Sequence, residues 1–273
     1  MSKSKQRVTL LIDGDILAFQ VAVRSQKSFD FGDNEGFTEE GAEPTQPTED
    51  NQPAVYLKGE ADVLHDLAEA IDGYMQATDG DDFYICLSCP GKDNWRLKVL
   101  PSYKANRKDT VRPQLLEVAK DLLRKHYRVL EFPKLEADDV MGIFSTDPEF
   151  LPDNKKIVVS IDKDLRTIPG WLYNPNIGKV ERITEEGADR YHMSQAITGD
   201  AVDGYPGCPG AGKVAAEEAL SSPDFDSSWE AVLSVYYRKP YQEALASARI
   251  SNILRHGQYD FKKKKVRLWE PPK

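Results

Sequence analysis

The chain alternates between short apolar runs and stretches with helical spacing. RVTLLIDGD is a largely apolar, β-branched run closed by a turn, as expected of a buried parallel strand, and ILAFQVAVRSQ after it reads as a helix. SFDFGD and AVYLKG alternate apolar and polar residues around an acidic, Pro-containing connection, which predicts a hairpin insert over about 28–58 with a long mobile tip at 33–53. In GEADVLHDLAEAIDGYMQAT, the positions Val63, Leu64, Leu67, Ile71, Tyr74 and Met75 recur at helical spacing and form a core-facing stripe. DFYICLS is the next strand. Pro113 opens the helix PQLLEVAKDLLRKHY, and RVLEFP, KKIVVSID and the pair WLYNP and KVERIT complete the strands. Strands alternating with helices predict an α/β core with a three-layer, mostly parallel sheet over residues 1–184. From about residue 185 the pattern is helical through 273, with a final strand, KVRLWE, that returns to the core.

Composition changes this picture in one respect. The 273 residues, 40% hydrophobic, can bury one large domain or one domain and a smaller partner. The net charge of −9 argues against an anionic partner, but residues 30–53 hold eight acids and no Lys or Arg, so the remainder carries −9 + 8 = −1. Acidic bulk therefore does not exclude DNA. Cys86, Cys89 and Cys208 make no disulfide framework, and Cys86-x-x-Cys89 lacks a second pair or a His for zinc. The basic N-terminus runs into Asp13 and Asp15 rather than an apolar segment, so the expectation is a cytoplasmic protein with no membrane span.

The carboxylates then demand an account. Asp13 and Asp15 follow VTLLI, Asp162 and Asp164 follow IVVSI, and Glu136, Asp138 and Asp139 follow RVLEF. A helix N-terminus accommodates one or two acids by capping, and a lone DGD is ordinarily a turn. A third acid in LEADDVMGIF adds repulsion of about 1 kcal/mol per pair in water and about 4 at an effective dielectric of 20. Ligands of open α/β sheets bind beyond the carboxyl ends of the strands, so three acidic strand ends should converge on one rim. Hard oxygen donors without His or thiolate suit Mg²⁺ or Mn²⁺, and paired ions of that kind activate water and stabilise a departing phosphodiester oxygen.

Two further clusters carry chemistry. Asp200 and Asp203 lead into Gly204, Gly207, Gly210 and Gly212 and then a helix from Lys213, an arrangement that lets backbone approach a phosphate. Gly207-x-x-x-x-Gly212-Lys213 begins like a nucleotide P-loop, but Val214 stands where Ser or Thr would hold Mg²⁺ and no apolar strand precedes it. A Gly-rich hairpin gripping a DNA backbone fits better. NWRLKVLPSYKANRK sets Arg96, Lys98, Lys104, Arg107 and Lys108 among Trp95 and Tyr103. That mixture binds phosphates and stacks on bases, the alternative being a solvated charge run.

LLIDGD, YKANRK, EADDVMG, SIDKDLRTIPG and GDAVDGYPGCPGAGK, in that order, resemble the bacteriophage 5′-to-3′ exonucleases of the flap-endonuclease superfamily, and ISNILRHGQYDF and VRLWEP extend the resemblance over nearly the whole chain. The resemblance implies a PIN-like core and a C-terminal helix-two-turn-helix DNA clamp. It implies that Asp13, Glu136, Asp138, Asp139, Asp162, Asp164, Asp200 and Asp203 hold two Mg²⁺ ions, with Mn²⁺ as a substitute. Lys104 and Arg107, at the foot of a short arch, would address the scissile phosphate. Arg96, Tyr103, Lys108, Gly207, Gly210, Gly212 and Lys213 would contact DNA, the clamp often with a K⁺ ion. The implied partners are duplex DNA with 5′ ends or flaps and RNA–DNA hybrids, met by a monomer in the cytoplasm of a phage-infected bacterium during phage DNA replication.

One position departs from the family pattern. Cys89 stands where an Asp is usual after the strand YICLS, so either Asp93 or water completes that metal site, or the site is weakened. Two rival readings share parts of the evidence. LLIDGDIL resembles the opening of haloacid-dehalogenase phosphatases, with Asp13 as nucleophile, but Leu17 and the unexplained YKANRK weigh against it. A DNA-binding relative without catalysis is suggested by Cys89.

Overall fold

The computed structural model describes residues 6–29, 54–107 and 111–272. The acidic tip expected at 33–53, and Lys108, lie outside the described residues.

β1 (Val8–Asp13) leads through α1 (Gly14–Arg24) to β2 (Gln26–Phe29) and β3 (Ala54–Leu57), which pair antiparallel as the expected hairpin. α2 (Glu60–Thr78), β4 (Asp82–Leu87), α3 (Leu116–His126), β5 (Val129–Glu131), α4 (Ala137–Thr146), β6 (Lys155–Val159), β7 (Gly170–Asn174) and β8 (Lys179–Ile183) follow. The six main strands lie in the order β5-β4-β1-β6-β7-β8, parallel except for β8 against β7. β4 and β5 thus lie on one side of β1 and β6 to β8 on the other, and the order reverses at β1, which opens a crevice at its carboxyl end.

The strand period of two builds both faces. Leu10 and Ile12 of β1, Ile85 and Leu87 of β4, and Ile157 and Val159 of β6 face one cluster with Leu17 and Val21 of α1, Leu67 and Ile71 of α2, and Leu123 of α3. The intervening Leu11, Cys86 and Val158 face the other with Val140, Met141 and Ile143 of α4. Burying each such aliphatic side chain is worth about 1.5–3 kcal/mol, so strands covered on both sides carry apolar residues at every position.

α5 (Glu185–Thr198), α6 (Lys213–Ser221), α7 (Ser228–Val235) and α8 (Tyr241–Ser251) gather around their own apolar cluster, with Ala196, Val232 and Ala248 fully buried. The final strand is shorter than expected. KVRLWE does not extend the main sheet; only Lys265–Val266 (β10) is extended, paired with Tyr259–Asp260 (β9). It still returns to the core: Tyr259, Ile253 and Leu254 pack on α4, and Val266 of β10 packs against the same cluster. Gly142 makes that approach possible, since a Cβ there would meet the Leu254 carbonyl at 2.3 Å.

Candidate active site

A cleft of about 780 Å³ opens at the carboxyl ends of β1 and β6, lined by Asp13, Asp138, Asp162, Asp164 and Asp203 together with Glu136. Each acid is placed by a local cause. Asp13 caps α1, its Oδ1 accepting from Ile16 N at 3.0 Å, while Oδ2 accepts from the Ser160 hydroxyl at 2.8 Å. Asp162 caps the 3-10 turn at Lys163–Thr167 through Asp164 N. Asp164 is held by Gln195 Nε2 of α5 at 2.6 Å, which ties the helical region to the sheet. The turn after α5 supplies Asp200, which accepts from Lys163 Nζ at 2.8 Å, and Asp203.

The electrostatics show how close these groups are. Burial first, and then the negative charges of Asp15 and Asp162, raise Asp13 to about 7. Burial and the charges of Asp13, Asp162 and Glu136 push Asp138 well above the carboxylate range. Asp164 rises to about 6 through burial and then Asp162. Glu136 goes the other way: burial opposes ionisation, but Lys104 and Arg96 hold it at about 2. Carboxyls that resist ionising without a cation nearby are the donor set a divalent ion would satisfy.

Among the described residues no three Asp, Glu, His or Cys side chains already stand close enough to hold one ion. Basic side chains occupy several of them. Lys104 Nζ lies 2.6 Å from Glu136 Oε1 and 3.6 Å from Asp203 Oδ1, and Arg107 Nη2 lies 2.6 Å from Asp203 Oδ1. Lys104 has φ +55, an uncommon conformation for a residue with a side chain, and its amide donates to the Asp203 carbonyl at 2.9 Å. YKANRK is thus docked on the Asp200–Asp203 turn, and the two basic residues enter the cleft beside the acids.

Four expected site residues sit elsewhere than anticipated. Asp139 is fully buried and both of its oxygens are engaged: Arg96 donates to each, at 2.8 and 3.0 Å, joined by Trp95 Nε1 at 2.9 Å and the amides of Glu136 and Leu254. Arg96, expected to meet DNA, is only 3% exposed, and its other bonds go to Glu136 and to the carbonyls of Ile250 and Asn252. Tyr103, expected to meet DNA as well, is buried with its hydroxyl on Glu136 and Asp203. At Gly207, a Cβ would strike Gly199 N at 2.2 Å, so this glycine serves the packing of its own loop. Gly210 and Gly212 face open space, and Lys213 at the start of α6 is exposed. Asp93 does not line the cleft but a neighbouring groove.

Sequence reasoning missed Ser160, Gln195 and Lys163 as supports of the acids, and Trp95 and Arg96 as the buried counterpart of Asp139. Ser160 had a weak signal, two residues before Asp162. Gln195 had none, since its role depends on how α5 docks.

The family model described as 5′–3′ exonuclease, N-terminal resolvase-like domain, matches residues 47–186. The chain is 31% identical over 226 residues to an exodeoxyribonuclease of Enterobacteria phage T3, covering 68% of this chain and 73% of that one. It is 30% identical to an exonuclease of Escherichia phage T7, covering 68% and 74%. A flap endonuclease of Vibrio atlanticus is 28% identical over 178 residues, covering 59% and 67%. In structure, the fold matches a bacteriophage T5 protein crystallised with metal ions (TM-score 0.63, 13% identity, 90% of each chain). It also matches the T5 flap endonuclease in a complex with DNA and metal ions (TM-score 0.57, 13% identity, 89% of each).

Proposed function

Since the chain belongs to the 5′–3′ exonuclease family, we propose that its carboxylate cleft hydrolyses phosphodiester bonds of duplex DNA from 5′ ends, with Mg²⁺ as the working ion. The observation that carries this reading is the set of buried, mutually repelling carboxylates at the switch point of a parallel sheet, with Lys104 and Arg107 beside them.

Asp13, Glu136 and Asp138 would hold one ion, and Asp162, Asp164, Asp200 and Asp203 the other. Divalent ions held by these residues would supply an activated water and charge stabilisation at the departing oxygen. The residues of the chain do the rest. Ser160 and Gln195 fix the orientation of Asp13 and Asp164 through hydrogen bonds. In this reading Lys104 and Arg107 bind the scissile phosphate, and the charge they present favours the transition state over the ground state. Gly210, Gly212 and the first turn of α6 face open space and suit contact with phosphates of the duplex, with K⁺ at the loop carbonyls as part of the same reading. RNA–DNA hybrids, action as a monomer, and work inside a phage-infected bacterium complete it. No described helix is long and apolar enough to cross a membrane.

The phosphatase alternative has no support from the family match, and the acids gathered in the cleft after β1, β5 and β6 speak for catalysis rather than DNA binding alone, despite Cys89 after β4. The test is incubation with 5′-labelled duplex DNA. Short labelled products that require Mg²⁺ are expected; activity confined to small phosphate monoesters would overturn the reading.

A further inference from the structure

Beside the catalytic cleft lies a second groove, of about 670 Å³, between the segment after β4 and the β5–α4 connection. Its floor is apolar, with Pro90, Leu97, Phe132 and Pro133, and Lys92, Lys98 and Lys134 stand along it. Cys89, Lys92, Asn94 and Leu97 line both the groove and the cleft, so the two are continuous. Of its two acids, Glu131 is paired with Arg124 at 3.0 Å, leaving Asp93.

At its Phe132–Lys134 wall the groove meets the β9–β10 hairpin. The Phe261 ring lies 5.1 Å from that of Phe132, the Tyr259 hydroxyl donates to the Pro133 carbonyl at 3.0 Å, and Lys134 Nζ donates to the Lys264 carbonyl at 2.7 Å. These contacts hold a turn that presents four consecutive exposed lysines, Lys262 to Lys265, beside a Phe261 that is 44% exposed. In a chain of net charge −9, three lysines therefore line the groove and four more stand on the turn that Lys134 anchors beside it. Neither the proposed reaction nor the Gly-rich loop uses any of them.

We propose that this groove and the tetralysine turn bind single-stranded DNA continuing from the catalytic cleft, an assignment that rests on the nuclease reading of that cleft. Apolar and aromatic floor between lysines matches the alternation of bases and phosphates in a single strand. A duplex keeps its bases stacked inside and would leave the apolar floor uncovered. The path would grip the strand without regard to sequence.

The test uses the full chain in EDTA, so that no cleavage intervenes, and a poly(dT) oligonucleotide as probe. The variant Lys262→Ser/Lys263→Ser/Lys265→Ser keeps Lys264, whose φ is +49 and whose carbonyl anchors Lys134. By fluorescence anisotropy, poly(dT) affinity should fall about tenfold at low salt, and the slope of log affinity against log salt should shrink by about 2, at about 0.7 per lost phosphate contact. Lys98→Ser should take a further part of the slope. Photo-crosslinks from iodouracil-substituted poly(dT) should fall in residues 90–98, 132–134 and 261–265. Unchanged affinity and slope in the triple variant, or crosslinks confined to 207–213, would overturn the assignment. Mg²⁺-dependent cleavage of blunt duplex DNA by the wild type is measured alongside. Its absence, with poly(dT) binding still lost in the variant, would overturn the nuclease reading while supporting the groove.

Discussion

Asp138 and Asp139 are neighbours in sequence, yet replacing each by Asn should have opposite consequences. Asp139 accepts five hydrogen bonds: two from Arg96, one from Trp95 Nε1, and one each from the amides of Glu136 and Leu254. An Asn amide offers one oxygen and turns its NH₂ toward donors. Placed on the Oδ1 side it orphans Arg96 and Leu254 donors; on the Oδ2 side it orphans those of Arg96, Trp95 and Glu136. Two buried donors left unpaired cost about 1–3 kcal/mol each, and breaking a buried ion pair costs about 3–5 kcal/mol. These overlap, so Asp139→Asn should lose about 3–5 kcal/mol of stability, about 10 °C in melting temperature for a domain of this size. Its Mg²⁺ requirement should stay near that of the wild type, measured on soluble protein well below its melting point. Asp138 has the reverse environment: burial and three neighbouring acids oppose its charge. Asp138→Asn should leave the metal-free protein as stable or more stable and abolish cleavage. Thermal unfolding in EDTA, together with a Mg²⁺ titration of cleavage, measures both. An Asp139→Asn protein of unchanged stability whose Mg²⁺ requirement rises several-fold would refute the reasoning and make Asp139 a metal ligand.

Further outcomes follow from the same geometry. Metal-free stability should peak near pH 4–5. As pH rises from about 4 to 7, Asp13, held at about 7 against 3.8, keeps a proton that the unfolded chain has lost, so stability falls by up to about 4 kcal/mol, while Glu136, held at about 2, loses its contribution as pH falls below 4.5. Melting curves in EDTA that rise steadily through pH 7 would contradict this. Mg²⁺ binding near pH 6 should release protons, seen as a dependence of calorimetric heat on the buffer's ionisation enthalpy. Arg107→Ala should lower turnover more than duplex affinity, and a change confined to affinity would make Arg107 a backbone contact only. Because Asp93 lines the neighbouring groove, Asp93→Asn should leave the Mg²⁺ titration unchanged, whereas Cys89→Asp should lower the requirement; no response to either would show that the loop does not reach the ions. Since β2 and β3 pair directly from Phe29 with Ala54 onward, deleting 33–53 should preserve folding and metal dependence, checked by melting temperature and cleavage.

The sheet was legible because its strands are covered on both faces and therefore carry unbroken apolar runs, bounded by acids at their ends. The cleft was legible for the same reason: carboxyl ends of parallel strands share one rim. What the pattern could not disclose was which acid points where. In EADD, Glu136 and Asp138 line the cleft while the very next residue, Asp139, turns inward to Arg96, and that choice depends on a C-terminal segment more than 100 residues away. Arg96 and Tyr103 were misread because a basic or aromatic residue in a Lys- and Arg-rich stretch looks exposed until its partners are known. The final strand was overextended because KVRLWE has strand composition, while only two of its residues find a partner.

The central claim is that the cleft acids hold divalent ions that cleave DNA. Diffraction from crystals soaked in Mn²⁺, collected at the manganese absorption edge, tests it most directly. The account predicts anomalous density in the cleft bounded by Asp13, Glu136 and Asp138 and by Asp162 and Asp164, reduced in Asp138→Asn crystals. Absence of manganese from this cleft, in a protein that still cleaves DNA when Mn²⁺ is supplied, would contradict it.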